Sequence, residues 1–345
     1  MPTSSVGARF AAGGAEDARG SKRGNVFAAS DNFANGLPPH LTRSENTQTV
    51  PLKLVAVAVL AVGAIVLAPP GFPGGTATRE PGIDAVDPAW SPNGQRIAFV
   101  RQRRTGAGEF GALYLMNADG SGAVQIAADA AGLQWPTWSP DGRRIAYVSQ
   151  DPSGKTGIYV ISSDGSRARR IGRGFYPDWS PGGRRIAYNS GLLDSDAGDV
   201  MVMNPDGSRN VVAAESNGTT AYATPTWSPD GELLAFVVVD APDTAGGTVP
   251  YLAYIEQVGG VVRQLSRARA GAPDWSPVGA KIAFTYSDGN RLTIRLLDVR
   301  RQRTVFLHDG SHPRWSPDGR QLVFSNEGKI YVMRADGTNV RQLTE

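Results

Sequence analysis

A chain of 345 residues with 41% apolar content can bury a sizeable core, and length alone would suggest two domains. Six of its 35 Lys or Arg and four of its 32 Asp or Glu fall in residues 1–53, leaving 29 against 28 for the rest, a near-neutral balance without the basic field that nucleic-acid binding needs. The absence of cysteine excludes disulfides, thiolate metal sites, cysteine nucleophiles and a lipid-modified N-terminal cysteine.

Residues 1–49 are rich in Gly, Ala, Ser, Asn and Thr, show no hydrophobic period, and are expected to form a disordered tail. Leu54 to Ala68 then gives fifteen uninterrupted apolar residues behind Lys53, stopped by Pro69 and Pro70. As one short hydrophobic helix it would span roughly 22 Å at about 1.5 Å per residue, less than the ~30 Å hydrocarbon core. Residues 50–68 therefore read as a short uncleaved membrane anchor or as the core of a cleaved signal, an ordinary one if translation starts at Val50. Six Lys or Arg precede the segment and only Arg79 follows soon after, which in the anchored reading puts the tail in the cytoplasm and the remainder outside. Residues 69–83 (PPGFPGGTATREPGI) form a semi-rigid Pro/Gly linker.

The rest of the chain, 84–345, is organised by one phrase. It reads WSPNG from Trp90, WSPDG from Trp138, WSPGG from Trp179, WSPDG from Trp227, WSPVG from Trp275 and WSPDG from Trp315, each with a proline two residues before the tryptophan. The spacing of 40 to 48 residues is that of a propeller or solenoid repeat and overrides the two-domain expectation. Proline fixes the second turn position, Asp or Asn bonds locally at the third, and glycine accepts a positive φ, so each copy is a hairpin corner. The strand leaving it carries Ile97/Phe99, Ile145/Tyr147, Ile186/Tyr188, Leu234/Phe236, Ile282/Phe284 or Leu322/Phe324, alternating with Ala or Val. A third run follows, such as Ile158 to Ile161 or Ile330 to Met333. A fourth follows that, such as Val340 to Thr344, usually after an Asp-Gly hairpin: 119–120, 164–165, 206–207 and 336–337. Repeats four and five replace that hairpin with Val258-Gly259-Gly260 and with Asp298 to Arg303. Four antiparallel strands per unit make a propeller blade, and the expected architecture is an all-β, six-bladed propeller.

The pattern P-x-W-S-P-D-G, then I-A-F, then I-Y-V-M, then D-G and R-Q-L-T resembles the TolB-type propeller repeat, a relative in shape of WD-repeat blades. Gly182 and Val278 depart from it at the turn Asp. The resemblance implies an extracytoplasmic six-bladed propeller. TolB itself has a further N-terminal domain where this chain has a tail and a hydrophobic segment, so the Pal partnership is not carried over. Each tryptophan is expected to wedge between blades, worth roughly 4–6 kcal/mol as an upper bound at about 25 cal/mol per Å². Closure is left to face packing or to a strand from residues 76–83.

In a propeller the WSPDG and Asp-Gly hairpins share one face and the longer connections gather on the other. Trp135, Arg173, Phe175, Tyr176, Tyr222, Arg267, Arg269, His308, His312 and Arg314 fall in those connections and are the candidate partner-binding group. Arginines there suit a carboxylate or glycan and the rings suit apolar contact. Asp194, Asp196 and Asp199 offer oxygen ligands for calcium but lack the spacing and the closing glutamate of an EF-hand loop, so they read as solvated loop residues. There is no Gly-x-Ser-x-Gly, and only His308 and His312 lie in the repeats, next to Asp309 as a conceivable general base. The leading expectation is a monomeric, non-enzymatic propeller without cofactor or metal that binds an envelope protein or peptide. The alternative is a carbohydrate lyase or glycan-binding module using Trp135, Arg173, Tyr176 and His312.

Overall fold

The computed structural model describes residues 83–345 apart from 106–107, 192–197, 218, 241–249, 257 and 267–268. The tail at 1–49, the hydrophobic segment at 50–68 and the linker up to residue 82 lie outside the described residues. Among the described residues no helix is long and apolar enough to cross a membrane.

The chain passes through six four-stranded antiparallel sheets, each built from consecutive strands. Blade 1 holds β1 (Ile83–Trp90), β2 (Arg96–Thr105), β3 (Gly108–Asn117) and β4 (Val124–Ala131), and blade 2 holds β5 (Gln134–Trp138), β6 (Arg144–Gln150), β7 (Thr156–Ser162) and β8 (Arg169–Gly172). Blade 3 holds β9 (Phe175–Trp179), β10 (Ile186–Asn189), β11 (Val200–Met203) and β12 (Val211–Ala214), and blade 4 holds β13 (Thr220–Trp227), β14 (Leu234–Asp240), β15 (Tyr251–Ile255) and β16 (Arg263–Gln264). Blade 5 holds β17 (Ala270–Trp275), β18 (Lys281–Ser287), β19 (Leu292–Asp298) and β20 (Arg303–Asp309), and blade 6 holds β21 (Ser311–Trp315), β22 (Gln321–Asn326), β23 (Lys329–Arg334) and β24 (Arg341–Gln342). Each first strand touches the first strand of the next blade, and β21 touches β1, so the six inner strands close a ring. The described residues form an all-β, six-bladed propeller.

Both faces of every second strand are buried, because each blade has a neighbour on either side. The large pair (Ile97 and Phe99 in β2, Ile282 and Phe284 in β18) and the small residue between them are all buried. The small residue is what makes room for the repeated indole. Trp138, Trp179, Trp227, Trp275 and Trp315 share packed clusters with Ala98, Ala146, Ala187, Ala235 and Ala283 of the preceding blade, and Trp90 with Val323. The indole nitrogens of Trp138 and Trp315 also donate to the Ala89 and Asp274 carbonyls, at 3.1 and 3.2 Å.

The corners follow turn chemistry. The serine hydroxyl donates to the Asn or Asp side chain at 2.5–2.7 Å in the turns after Trp90, Trp138, Trp227 and Trp315. The turn glycine has φ between 67° and 74° in five copies, including the one where Gly182 replaces Asp. Val278 has the larger effect. A β-branched side chain with no acceptor takes away the Asp or Asn acceptor of the Ser276 hydroxyl, whose oxygen accepts the Val278 N–H at 3.4 Å, and Gly279 moves to φ 149° with a Lys281 N–H to Gly279 carbonyl bond of 2.9 Å.

Closure uses face packing. Ala85, Ile97, Phe99 and Met116 of blade 1 pack with Val323 and Ile330 of blade 6, and the Ala85 N–H donates to the Gly328 carbonyl at 2.7 Å. The outer rim repeats an internal contact: Arg341 donates to the Asp119 carbonyl at 2.8 Å, as Arg169 donates to the Pro205 and Asp206 carbonyls at 3.1 and 3.3 Å. Among the described residues the last seam is thus built like an ordinary one; the alternative closure by a strand from residues 76–83 falls outside them, apart from Ile83 at the start of β1.

Candidate functional site

The first strand of every blade slips register just before its tryptophan, at Val86/Ala89, Gln134/Thr137, Ala223/Thr226, Gly271/Asp274, Ser311/Arg314 and, in blade 3, between Phe175 and Asp178. Each slip is a bulge on the residue preceding the repeat proline. Asp87, Trp135, Tyr176, Thr224, Ala272 and His312 all have φ between 43° and 54°, a region uncommon for residues other than glycine. Bulges re-aim side chains, and here one backbone device presents six different ones.

Consecutive members of this tier meet. His312 Nδ1 lies 3.7 Å from Asp87 Oδ1, Asp87 Oδ2 accepts the Trp135 N–H at 3.2 Å, and the Trp135 and Tyr176 rings lie 3.9 Å apart. On the opposite side of the ring Thr224 and Ala272 are small. The bulged N–H groups are satisfied from the neighbouring blade: Asp87 by Ser325 Oγ at 3.2 Å, Thr224 by Asn189 Oδ1 at 3.0 Å and His312 by Thr285 Oγ1 at 3.0 Å. Asn189, fully buried, also donates to the Tyr222 carbonyl.

The candidate group read from the sequence therefore divides. Trp135, Tyr176 and Tyr222 are 9%, 6% and 6% exposed and lie in inter-blade clusters, with Phe175 half-buried against Trp135 and Phe236 packed on Tyr222. Burial, and then Asp240 and Asp199, push the Tyr222 hydroxyl above its ordinary range. Arg173 and Arg269 are exposed beside the connections, and the His312 side chain is 32% exposed. His308 belongs to the outermost strand of blade 5, against Phe324, with Nδ1 2.7 Å from the Asp309 carbonyl oxygen. Asp309 is paired with Arg291, so His312 faces Asp87 instead of forming a cluster with His308 and Asp309. Arg267, Asp194 and Asp196 lie outside the described residues. Asp199 accepts the Ser216 N–H and hydroxyl at 2.8 and 2.6 Å. Among the described residues no three His, Asp or Glu are grouped to hold a metal ion.

Arg314 belongs to a second tier, the middle residue of each Pro-x-Trp: Ala89, Thr137, Asp178, Thr226, Asp274 and Arg314. Arg314 Nη1 meets Asp274 Oδ1 at 3.2 Å. Asp274 Oδ2 accepts the Trp315 N–H at 2.7 Å, and Asp178 Oδ2 accepts the Trp227 N–H at 2.9 Å. Burial pushes the Asp178 carboxyl up to about 7 against the pull of Arg314, with Asp274 adding to the rise. Asp274 is likewise raised by burial, with Arg314 opposing. Burial works against the Arg314 charge, but Asp274 and Asp178 outweigh it and hold its pKa above the ordinary value. A cavity of about 140 Å³ opens beside these groups on the turn face. Composition did not single out Asp87, Asp178, Thr224 or Asp274. Their signal was positional, at fixed offsets from the repeat proline.

Residues 77–237 match the family described as PD40, the TolB beta propeller domain. Among solved structures the fold is similar to TolB from Acinetobacter baumannii, at 22% identity and a TM-score of 0.58, over 71% of this chain and 62% of that one. The chain thus spans less than two thirds of that TolB. It is also similar to a putative TolB from Agrobacterium tumefaciens (22% identity, TM-score 0.56, 72% of this chain and 90% of that one). An oligogalacturonate lyase from Vibrio parahaemolyticus is more distant, at 14% identity and a TM-score of 0.50, over 77% of this chain and 80% of that one.

Proposed function

We propose that this chain, a six-bladed propeller whose residues 77–237 match the TolB beta propeller domain, is a non-enzymatic, extracytoplasmic scaffold of the cell envelope that binds a protein or peptide on its loop-rich face. The observation that carries this reading is the inner tier: a backbone device repeated six times at φ 43–54° displays Asp, Trp, Tyr, Thr, Ala and His, which a purely structural repeat has no need to vary. Around it Arg173 and Arg269 are exposed donors suited to carboxylates, and His312 is open enough to meet a ligand. Trp135 and Tyr176 serve as the packed floor of this region and do not form an open aromatic platform. The hydrophobic stretch at 50–68 and the Pro/Gly linker support placement outside the cytoplasm, tethered or exported.

Affinity capture from an envelope extract tests this directly. The wild-type chain should retain a protein that Arg173→Glu/Arg269→Glu loses at unchanged melting temperature; equal retention by the folded double variant would count against the docking face. The His312 and Asp87 pair keeps a carbohydrate reading open to test. A glycan array run alongside would favour it if a uronic-acid oligomer bound and His312→Ala removed turnover or binding.

A further inference from the structure

The turn-face cavity holds a carboxylate that the surrounding protein leaves without an ion-pair partner. The open cavity of about 140 Å³ is lined by Trp90, Trp138 and Trp315, by Pro92 and Pro140 of two adjacent turns, and by Asp178, Asp274 and Arg314. Arg314 is committed to Asp274 at 3.2 Å. Asp178 accepts the Trp227 N–H at 2.9 Å and a hydrogen bond from the Thr226 side chain, but among the described residues no cation lies within 4 Å of it. Two carboxylates thus share one guanidinium around an open space walled by indole and pyrrolidine rings.

We propose that this cavity takes a single primary ammonium group on an alkyl stem, the end of a lysine side chain, with Asp178 as its counter-ion and the tryptophan and proline rings around the stem. An anion would meet two carboxylates. A metal ion would find only one uncommitted carboxylate, and no group of three His, Asp or Glu occurs among the described residues. An ammonium needs one carboxylate, and aromatic faces favour a cation. The volume admits the four methylenes and the ammonium of such a stem. The elevated Asp178 carboxyl fits the same picture, since a buried carboxylate without a partner holds its proton until a cation arrives. The site lies on the face opposite the proposed docking surface and does not depend on that reading.

Titration of the folded chain with Nα-acetyl-lysine methylamide, followed by tryptophan fluorescence, should give a saturable change. The norleucine analogue, which keeps the stem and lacks the charge, should bind at least tenfold more weakly. Asp178→Asn should weaken lysine binding at least tenfold without lowering the melting temperature. Thr137→Leu, which fills the cavity from another wall and removes no charge, should weaken it as well. The proposal is overturned by no saturable response to the lysine probe, by equal binding of norleucine, by wild-type affinity in folded Asp178→Asn, or by calcium chloride binding at Asp178 where the lysine probe does not. A stronger response to the arginine analogue than to lysine would overturn the choice of ammonium.

Discussion

Asp141 in a repeated turn and Asp178 at the propeller axis carry the same side chain on the same face and are displaced in opposite directions. The Ser139 hydroxyl bond, foremost, holds Asp141 below the usual carboxylate range, and Asp230 and Asp318 are lowered in the same way by Ser228 and Ser316. Asp178 is driven up to about 7 by burial. The turn aspartates are satisfied by residues two positions away and solvated on their outer side, so the whole motif can be copied without reference to the rest of the fold. The axial aspartate depends on groups from other blades, Arg314 and Asp274, and burial works against its charge. Repeated positions hold the scaffold; the varied axial positions are the ones on which the blades differ and on which the proposed lysine site rests.

The largest expected effect tests the repeated shell. Trp275→Ala removes an indole wedged against Ala235 and Phe284 and should cost about 3–5 kcal/mol in denaturant unfolding. A loss below about 1 kcal/mol would mean the tryptophans do not hold the seams.

The axial side is sharpened by pH. A carboxyl at about 7 in the folded chain and about 3.9 unfolded leaves the folded state with more bound protons between those values, so wild-type stability should fall as pH rises from about 4 to 7 and then level off. Asp178→Asn removes the Asp178 part of this dependence and leaves the part of the same sign from Asp274, so its melting-temperature advantage over wild type should grow from pH 5 to pH 8. Arg314 and Asp274, the charged groups facing Asp178, are unchanged in that comparison. The turn aspartates give the opposite sign: their contribution is present above the ordinary carboxylate range and is lost as pH falls through their lowered values. A flat wild-type profile between pH 4 and 7 would refute the assignment to Asp178. The smallest effect returns to the turns, where Gly182→Asp restores the acceptor missing beside Ser180 and should add about 0.5–1 kcal/mol.

The sequence displayed what is local and repeated. The Trp-Ser-Pro phrase marked the corners because proline, aspartate and glycine have fixed turn roles, and the Ile-Ala-Phe runs marked second strands because both of their faces are buried. Closure was not legible, since Ala85 and Gly328 meet only once all six blades are in place. Nor were the bulges: a following proline biases a residue toward extended backbone, yet Asp87, Trp135, Tyr176, Thr224, Ala272 and His312 all take positive φ. That conformation turns Trp135 and Tyr176 into the seam, where they pack on each other, although aromatics in a connection read as an open rim. Arg314 reads from the sequence as part of a connection between blades, but the offset of two residues past the bulge carries it to the turn-face tier beside Asp274.

Parallel measurement of melting temperature and partner capture for Arg173→Glu/Arg269→Glu tests the division between scaffold and binding face most directly. The account predicts a melting temperature within about 1 °C of wild type, as for surface substitutions generally, together with loss of the captured envelope protein. Undiminished capture by that stable variant would contradict it.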